Sequence, residues 1–244
     1  MGLFGSDRIY KPNRREVEEA RVALRKARSK KGRAEVEASS ASVVQRLVER
    51  LLGVGIDGVG RFASAKDLAA RIEKKSRSRE RAIRRVRNRH VKLARAGGFA
   101  SGLGGVTTMA VALPANVVSF FTMATRMVAT IAELRGYDTS RDEVRAAVLL
   151  TLSGQESDAI LKQAGLGAIT GRLAQSAGRR LTPGALMLIN KAVGVHLLRS
   201  VGTRGVGKLF SWVPLLGGFV GQAMDGRMMR RIAAEADEQF PPVD

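Results

Sequence analysis

The chain lacks cysteine altogether, has only two histidines, and is poor in aromatic residues, which make up 5% of its 244 positions. The absence of cysteine excludes disulfide bonds, thiolate catalysis and cysteine-ligated metal sites, and it is typical of proteins in reducing compartments. Sustained alternation of apolar and polar residues is also missing, so the pattern does not predict a β-sheet. The first residues contain no apolar stretch of the kind found in secretory signal peptides. These absences favour a cytoplasmic protein built from helices.

The sequence also lacks a recognisable set of catalytic residues. His90 and His196 have no H-x-x-x-H partner, and two histidines without cysteine do not predict a zinc site. Residues 202–208 match the spacing of a phosphate loop, but Leu209 follows where a hydroxyl is needed to hold Mg²⁺. Residues 53–58 match G-x-G-x-x-G without a preceding strand. The sequence therefore predicts a protein that is not an enzyme and needs no cofactor or metal.

Positive charge is abundant and unevenly distributed. The formal net charge is +20; residues 1–95 hold 27 Lys and Arg against 11 Asp and Glu, a net +16, whereas residues 96–244 carry a net +4. A basic half joined to a nearly neutral half indicates an acidic partner for the first half, such as anionic lipid, nucleic acid or an acidic protein. A well-solvated basic surface is the alternative explanation.

The basic charge is densest in a helix predicted over about residues 65–95. Its second half places Ile83, Val86, His90 and Leu93 on a narrow apolar stripe, and the residues around that stripe are basic. Nucleic-acid readers usually interleave aromatic or amide side chains with arginines, and only Asn88 does so here, which favours lipid headgroups. The residues predicted to bind an anionic surface are Arg77, Arg79, Arg81, Arg84, Arg85, Arg87 and Arg89.

The next segment, residues 96–125, contains no charged residue at all, and residues 209–224 form a second uncharged run. Five glycines crowd the beginning of the first run, and Pro114 divides it. We expect Pro114 to begin a second helix, so that helices over about 98–112 and 114–136 form a hairpin. Such a hairpin would lie in a core or dip into a bilayer surface. The residues predicted to belong to this membrane or lipid hairpin are Phe99, Gly102, Gly105, Phe120, Phe121, Trp212 and Phe219.

These patterns predict an all-α fold consisting of a single helical domain with the glycine-rich apolar hairpin in its core. Residues 1–54 are expected to form a basic N-terminal helical arm and residues 55–244 the domain itself. Gly53 and Gly55, with the glycines that follow, are expected to break the chain between the two. Thr182-Pro183 is expected to cap and open a late helix, and Pro241-Pro242 to stop the last one.

An ordered set of motifs resembles the EcsC family of bacterial proteins over roughly residues 55–240. Two positions depart from the family pattern: Asn116 stands where an acidic residue follows Leu-Pro, and Arg135 stands where an aromatic residue precedes the Gly-x-Asp turn. The resemblance implies a helical fold and a membrane neighbourhood but no established enzymatic activity. The motifs are His90-Val91, the glycine-rich residues 98–105, Leu113-Pro114, Gly136-Tyr137-Asp138, residues 147–154 and residues 213–221.

Charge, hairpin and resemblance together favour a membrane-associated or lipid-interacting protein that docks on anionic headgroups through its arginine-rich helix. We expect it to lie in the cytoplasm, peripherally at the inner face of the cell membrane. The alternatives are a nonspecific nucleic-acid-binding protein and a soluble scaffold with an apolar ligand or lipid pocket. A protein partner at the membrane and a second copy of the chain are further candidate partners.

Overall fold

The structure is a computed structural model that describes residues 41–42, 44–60, 63–103, 105–163, 181–204 and 214–243. Side chains are described for the same residues except 97–117, 155, 163, 198–204 and 214–222. These ranges are helical apart from short turns, and no strand occurs within them. The all-α prediction is therefore confirmed.

The chain divides into two compact units, Met1–Val43 and Val44–Asp244. The second unit begins with helix α1, residues 44–50, which passes directly into a π-helix over Leu51–Asp57. Val44, Leu47 and Val48 are buried, so part of the predicted arm contributes to the core of the second unit. The expectation that Gly53 and Gly55 break the chain was wrong, because the break comes only at Gly58, where φ is 77°.

Gly55 stays helical for a packing reason. A Cβ atom at this position would lie 2.8 Å from both Cβ and Cγ2 of Thr125, so only glycine lets the π-helix approach that surface. Glycine normally weakens a helix by about 1 kcal/mol. Here the close contact with a neighbouring helix offsets that cost, which is why the local glycine signal misled the prediction.

Within the described ranges, seven further α-helices follow in chain order. They are α2 (Ala65–Lys74), α3 (Arg79–Leu103), α4 (Gly105–Leu134), α5 (Asp142–Thr151), α6 (Ser157–Gln163), α7 (Pro183–Arg204) and α8 (Pro214–Gln239). Among them α4 is central, since it contacts the π-helix, α2, α3, α5, α7 and α8. The most extensive interface joins α3 and α8, which are nearly equal in length.

The helix predicted over residues 65–95 is two helices, separated at residues 75–78. The second of them begins after Ser78, whose hydroxyl accepts a hydrogen bond from the backbone N–H of Arg81 at 3.3 Å. Arg85 also donates to the backbone carbonyl of Lys75 at 2.9 Å, which satisfies one of the free carbonyls at the end of α2. Because basic residues run through the break, the charge pattern hides it from a sequence-based prediction.

Pro114 lies inside α4 rather than at the start of a helix, so that prediction was also wrong. α3 runs from the basic segment into the glycine-rich one and ends at Leu103, and α4 begins at Gly105. Proline removes one intrahelical hydrogen bond but does not forbid a helix when the rest of the segment continues it. The glycines at 102, 104 and 105 favour a helix boundary more strongly than the proline does.

The C-terminal end of α4 is closed by a Schellman motif at Gly136, whose φ is 94°. The N–H of Gly136 bonds to the carbonyl of Glu133, and the N–H of Tyr137 bonds to that of Ala132, each at 3.0 Å. The ring of Tyr137 packs edge-on against Phe240, with centroids 5.2 Å apart. The chain end is thereby fixed to the same turn.

The two predicted boundary signals near the C-terminus are confirmed. α7 begins at Pro183, and the hydroxyl of Thr182 accepts from the N–H of Ala185 at 3.2 Å. α8 ends at Gln239, just ahead of the two prolines that were expected to stop it.

Candidate functional site

Helix α3 has two chemically opposite faces. Ala82, Ile83, Val86, His90 and Ala94 recur at spacings of one, three or four residues and are buried against the core. This apolar stripe fixes the rotation of the helix. The remaining positions along the same stretch are consequently held at the surface, and most of them are basic.

We define the basic face as the exposed residues Arg81, Arg84, Arg85, Arg89 and Lys92. They follow one another at intervals of one, three or four residues, so they form a row along α3. None of the five makes an ion pair with any residue that the structure describes. A shallow depression of about 630 Å³ lies on this face. Its described lining residues are Arg81, Arg84, Arg85, Asn88, Arg89, Lys92 and Leu93.

Three arginines of the predicted anion-binding set do not belong to the basic face. Arg77 is exposed in the turn before α3. Arg79 donates to the carboxylate of Glu73 at 3.0 Å. Arg87 is partly buried and pairs with Asp237 of α8 at 2.5 Å, so it ties two helices together rather than facing outward. The sequence could not separate these roles, because the partner of Arg87 lies 150 residues away.

Lys92 and Asn88 belong to the depression, although the predicted set omitted both. The signal that would have found them is the continuation of the helical spacing from Arg81 through Arg85 and Arg89.

His90 is held in the core beneath the basic face. Its Nδ1 lies 2.8 Å from the backbone carbonyl oxygen of Val86, to which a neutral, Nδ1-protonated ring donates. Burial lowers the pKa of His90, and the positive charges of Arg126 and Arg89 lower it further. Burial likewise lowers the pKa of Arg126, with Arg89 as a second cause. His90 is thus a structural histidine in its neutral form.

The depressed pKa of His90 predicts a pH-dependent stability. The unfolded chain takes up a proton near the ordinary value of 6.5, whereas the folded chain resists it. The contribution of His90 to the free energy of unfolding is therefore complete above about pH 6.5 and is lost as the pH falls through the folded pKa. Chemical denaturation at several pH values should show this loss in the wild type and a smaller one in His90→Gln. Identical pH profiles would contradict the assignment.

The predicted hairpin residues fall into three groups. Phe120 and Phe121 are buried, at 6% and 0% exposure, and both belong to the hydrophobic core, which is one of the two locations expected for the hairpin. The backbones of Phe99, Gly102, Gly105 and Phe219 are helical, but their side chains lie outside the described ones. Trp212 lies outside the described residues altogether.

The other sequence motifs do not assemble a site. Residues 53–57 of the G-x-G-x-x-G match lie within the π-helix, and much of the match at 202–208 lies outside the described residues. His196 has its Nδ1 3.3 Å from a carboxylate oxygen of Glu156. Within the described part of the chain no three His, Cys, Asp or Glu side chains are grouped as a metal site would require. None of the described helices combines the length and the apolar character needed to cross a membrane.

The fold and the site define a class of protein: an all-α domain that displays a row of cations on one helix. A family model, the EcsC protein family, matches residues 24–240. The chain therefore belongs to the EcsC family, and the match begins 31 residues before the region over which the motifs resemble it. No curated protein and no solved structure matches the chain.

Proposed function

We propose that the protein docks peripherally on anionic membrane headgroups through the basic face of α3. The observation that carries this proposal is the row of five exposed cations without an ion pair to any described residue. From Arg81 to Lys92 the row extends about 16 Å at 1.5 Å per residue. Cations that no described carboxylate neutralises are available to an external anion.

The free energy that these cations can contribute is sufficient for membrane binding. Each Lys or Arg close to an anionic leaflet contributes about 1 kcal/mol, so three or four acting together give a measurable affinity. The buried stripe of α3 holds the row in place, which reduces the backbone ordering required on binding.

The composition of the depression favours lipid headgroups over the two alternatives. It contains six polar or charged side chains and one apolar residue, Leu93, which does not suit an apolar ligand. It contains no aromatic ring among its described residues, whereas proteins that bind single strands stack bases on such rings.

The proposal is tested by sedimentation with vesicles of phosphatidylglycerol and phosphatidylcholine. We expect replacement of Arg81, Arg84, Arg85 and Arg89 by glutamine to weaken binding by roughly tenfold or more, because four surface charges are removed. Raising the salt concentration should weaken the wild type in the same direction, since screening acts on exposed charges.

The control variant replaces Lys66, Arg71, Lys74 and Lys191 by glutamine. These residues are exposed on α2 and α7, and their replacement removes the same net charge. Equal losses in the two variants would mean that overall charge, and not the basic face, drives binding. Preference for DNA over acidic vesicles, with a steep salt dependence, would instead support the nucleic-acid alternative.

A further inference from the structure

Helices α3 and α8 pack antiparallel in a register that two contacts establish. Arg87 of α3 pairs with Asp237 of α8 at 2.5 Å. Further along, a Cβ atom placed on Gly226 would lie 2.7 Å from Cγ of Arg95, so the backbone of α8 passes directly against that side chain. Residues 87 and 95 of α3 thus lie beside residues 237 and 226 of α8, so the two helices run in opposite directions.

This register brings the uncharged ends of the helices to one end of the bundle. Arg95 is the last charged residue of α3, and Asp225 is the first of α8, and the two lie at the same level. Beyond that level neither residues 96–103 nor residues 214–224 carry a charge. α4 begins at Gly105, two residues after α3 ends at Leu103, and its residues 105–117 are also uncharged. We call these three segments the uncharged tip.

Immediately below the uncharged tip lies a group of basic residues from both helices. We define the basic belt as Lys92, Arg95, Arg227, Arg230 and Arg231, all of which are exposed. Between residues 92 and 103 and between 214 and 231, Asp225 is the one acidic residue. None of the five belt residues has an ion pair with a described side chain. Three of the five come from α8, which the charge pattern of the first 95 residues does not reveal.

Two exposed apolar side chains lie at the level of the basic belt. Leu93 is 45% exposed on α3, and Met224 is 52% exposed on α8 at the last position before the charges begin. A cation belt next to solvent-exposed apolar side chains is the arrangement of residues at a bilayer interface.

We infer that the molecule enters an anionic bilayer end-on, with the uncharged tip in the apolar leaflet and the basic belt at the phospholipid headgroups. This inference rests on the proposed function, but it places the membrane contact at the Lys92 end of the basic face and adds the orientation and the arginines of α8. Beyond the belt α3 extends eight residues and α8 eleven, about 12 Å and 16 Å. The apolar core of a bilayer is about 30 Å thick, so the tip matches one leaflet.

Depth-dependent labelling tests the orientation directly, because the chain has no cysteine of its own. Single cysteines at Met224, Leu93 and Arg81 would carry an environment-sensitive fluorophore, with quenchers attached to lipid acyl chains. End-on entry predicts that the labels at 224 and 93 become shielded from water and quenched. The label at 81, about 18 Å along α3 from 93, should stay in water.

The outcomes separate this inference from the proposed function. If the labels at 81 and 93 are quenched equally, α3 lies flat on the surface and the end-on orientation is wrong, while docking itself stands. If no labelled protein binds vesicles of phosphatidylglycerol and phosphatidylcholine, both the docking and the orientation are wrong.

Matched charge replacements give a second test. The triple variant Lys92→Gln, Arg227→Gln, Arg230→Gln removes belt charges, and Arg81→Gln, Arg84→Gln, Arg85→Gln removes the same number farther from the tip. We expect the first to weaken vesicle binding roughly tenfold more than the second, because interaction with surface charge decays within a Debye length of about 10 Å. A larger loss in the second variant would overturn the end-on orientation. Circular dichroism of both variants should match the wild type.

Discussion

Replacing Phe121 by alanine should lower the free energy of unfolding by about 3–5 kcal/mol. The ring is fully buried in α4, the central helix, and its edge-to-face contact with Phe120 places the centroids 5.4 Å apart. The backbone around it is also constrained, since the carbonyl of Phe121 accepts from the hydroxyl of Thr125 at 2.7 Å. A cavity at this position cannot collapse easily, so the loss should fall in the upper part of the range for large-to-small substitutions.

Urea denaturation measures this effect, and Met187→Ala is the control. Met187 is 66% exposed on α7, so its truncation should change stability by less than about 0.5 kcal/mol. A loss of similar size in the two variants would contradict a core role for Phe121. The result also bears on lipid binding, because a charged residue at position 121 would unfold the core and would not report on insertion. Met224 is the better position for such a substitution.

Removing the carboxylate of Asp237 should cost about 2–3 kcal/mol of stability, the second largest effect that we expect. Oδ2 of Asp237 accepts from Arg87 of α3 at 2.5 Å, and Oδ1 accepts from Arg135 at the end of α4 at 3.3 Å. Asp237→Ala would leave two partly buried guanidinium groups without their counter-charge. Fully buried pairs lose about 3–5 kcal/mol when one partner is removed, and the partial exposure of these three side chains reduces that figure.

Glu238→Ala is the matched control, since Glu238 neighbours Asp237 on α8 but is exposed. Its removal should change the urea midpoint little, whereas Asp237→Ala should lower it clearly. Equal effects of the two substitutions would show that the bridge between Arg87 and Arg135 contributes nothing to stability. Asp237→Asn should fall between them, because it keeps the shape of the side chain but loses its charge.

Local pattern alone was enough to predict the fold class and the chemical character of α3. The helical recurrence of Ile83, Val86, His90 and Leu93 predicted an apolar stripe, and the structure buries the first three but leaves Leu93 45% exposed. Four of the seven predicted arginines, Arg81, Arg84, Arg85 and Arg89, lie together on the opposite face. Helical periodicity is a property of neighbours three and four residues apart, so it can be recognised without knowledge of the tertiary structure.

Two local signals, a glycine and a proline, led to wrong predictions, and for the glycine a distant contact outweighed the local preference. Gly55 would favour a break, but its close approach to Thr125 keeps it in a π-helix. Pro114 would favour a helix start, but α4 continues through it.

The sequence by itself determined that this protein is helical, strongly basic in its first 95 residues, and divided into charged and uncharged segments. Only the tertiary structure decided that Arg87 is an internal ion-pair partner and that Phe120 and Phe121 belong to the core. It also decided that α8 lies antiparallel to α3, which places the belt arginines of α8 near Lys92 and Arg95 of α3. The physical reason is that helix propensity and amphipathic spacing are local, whereas the register between helices depends on packing between residues more than a hundred positions apart.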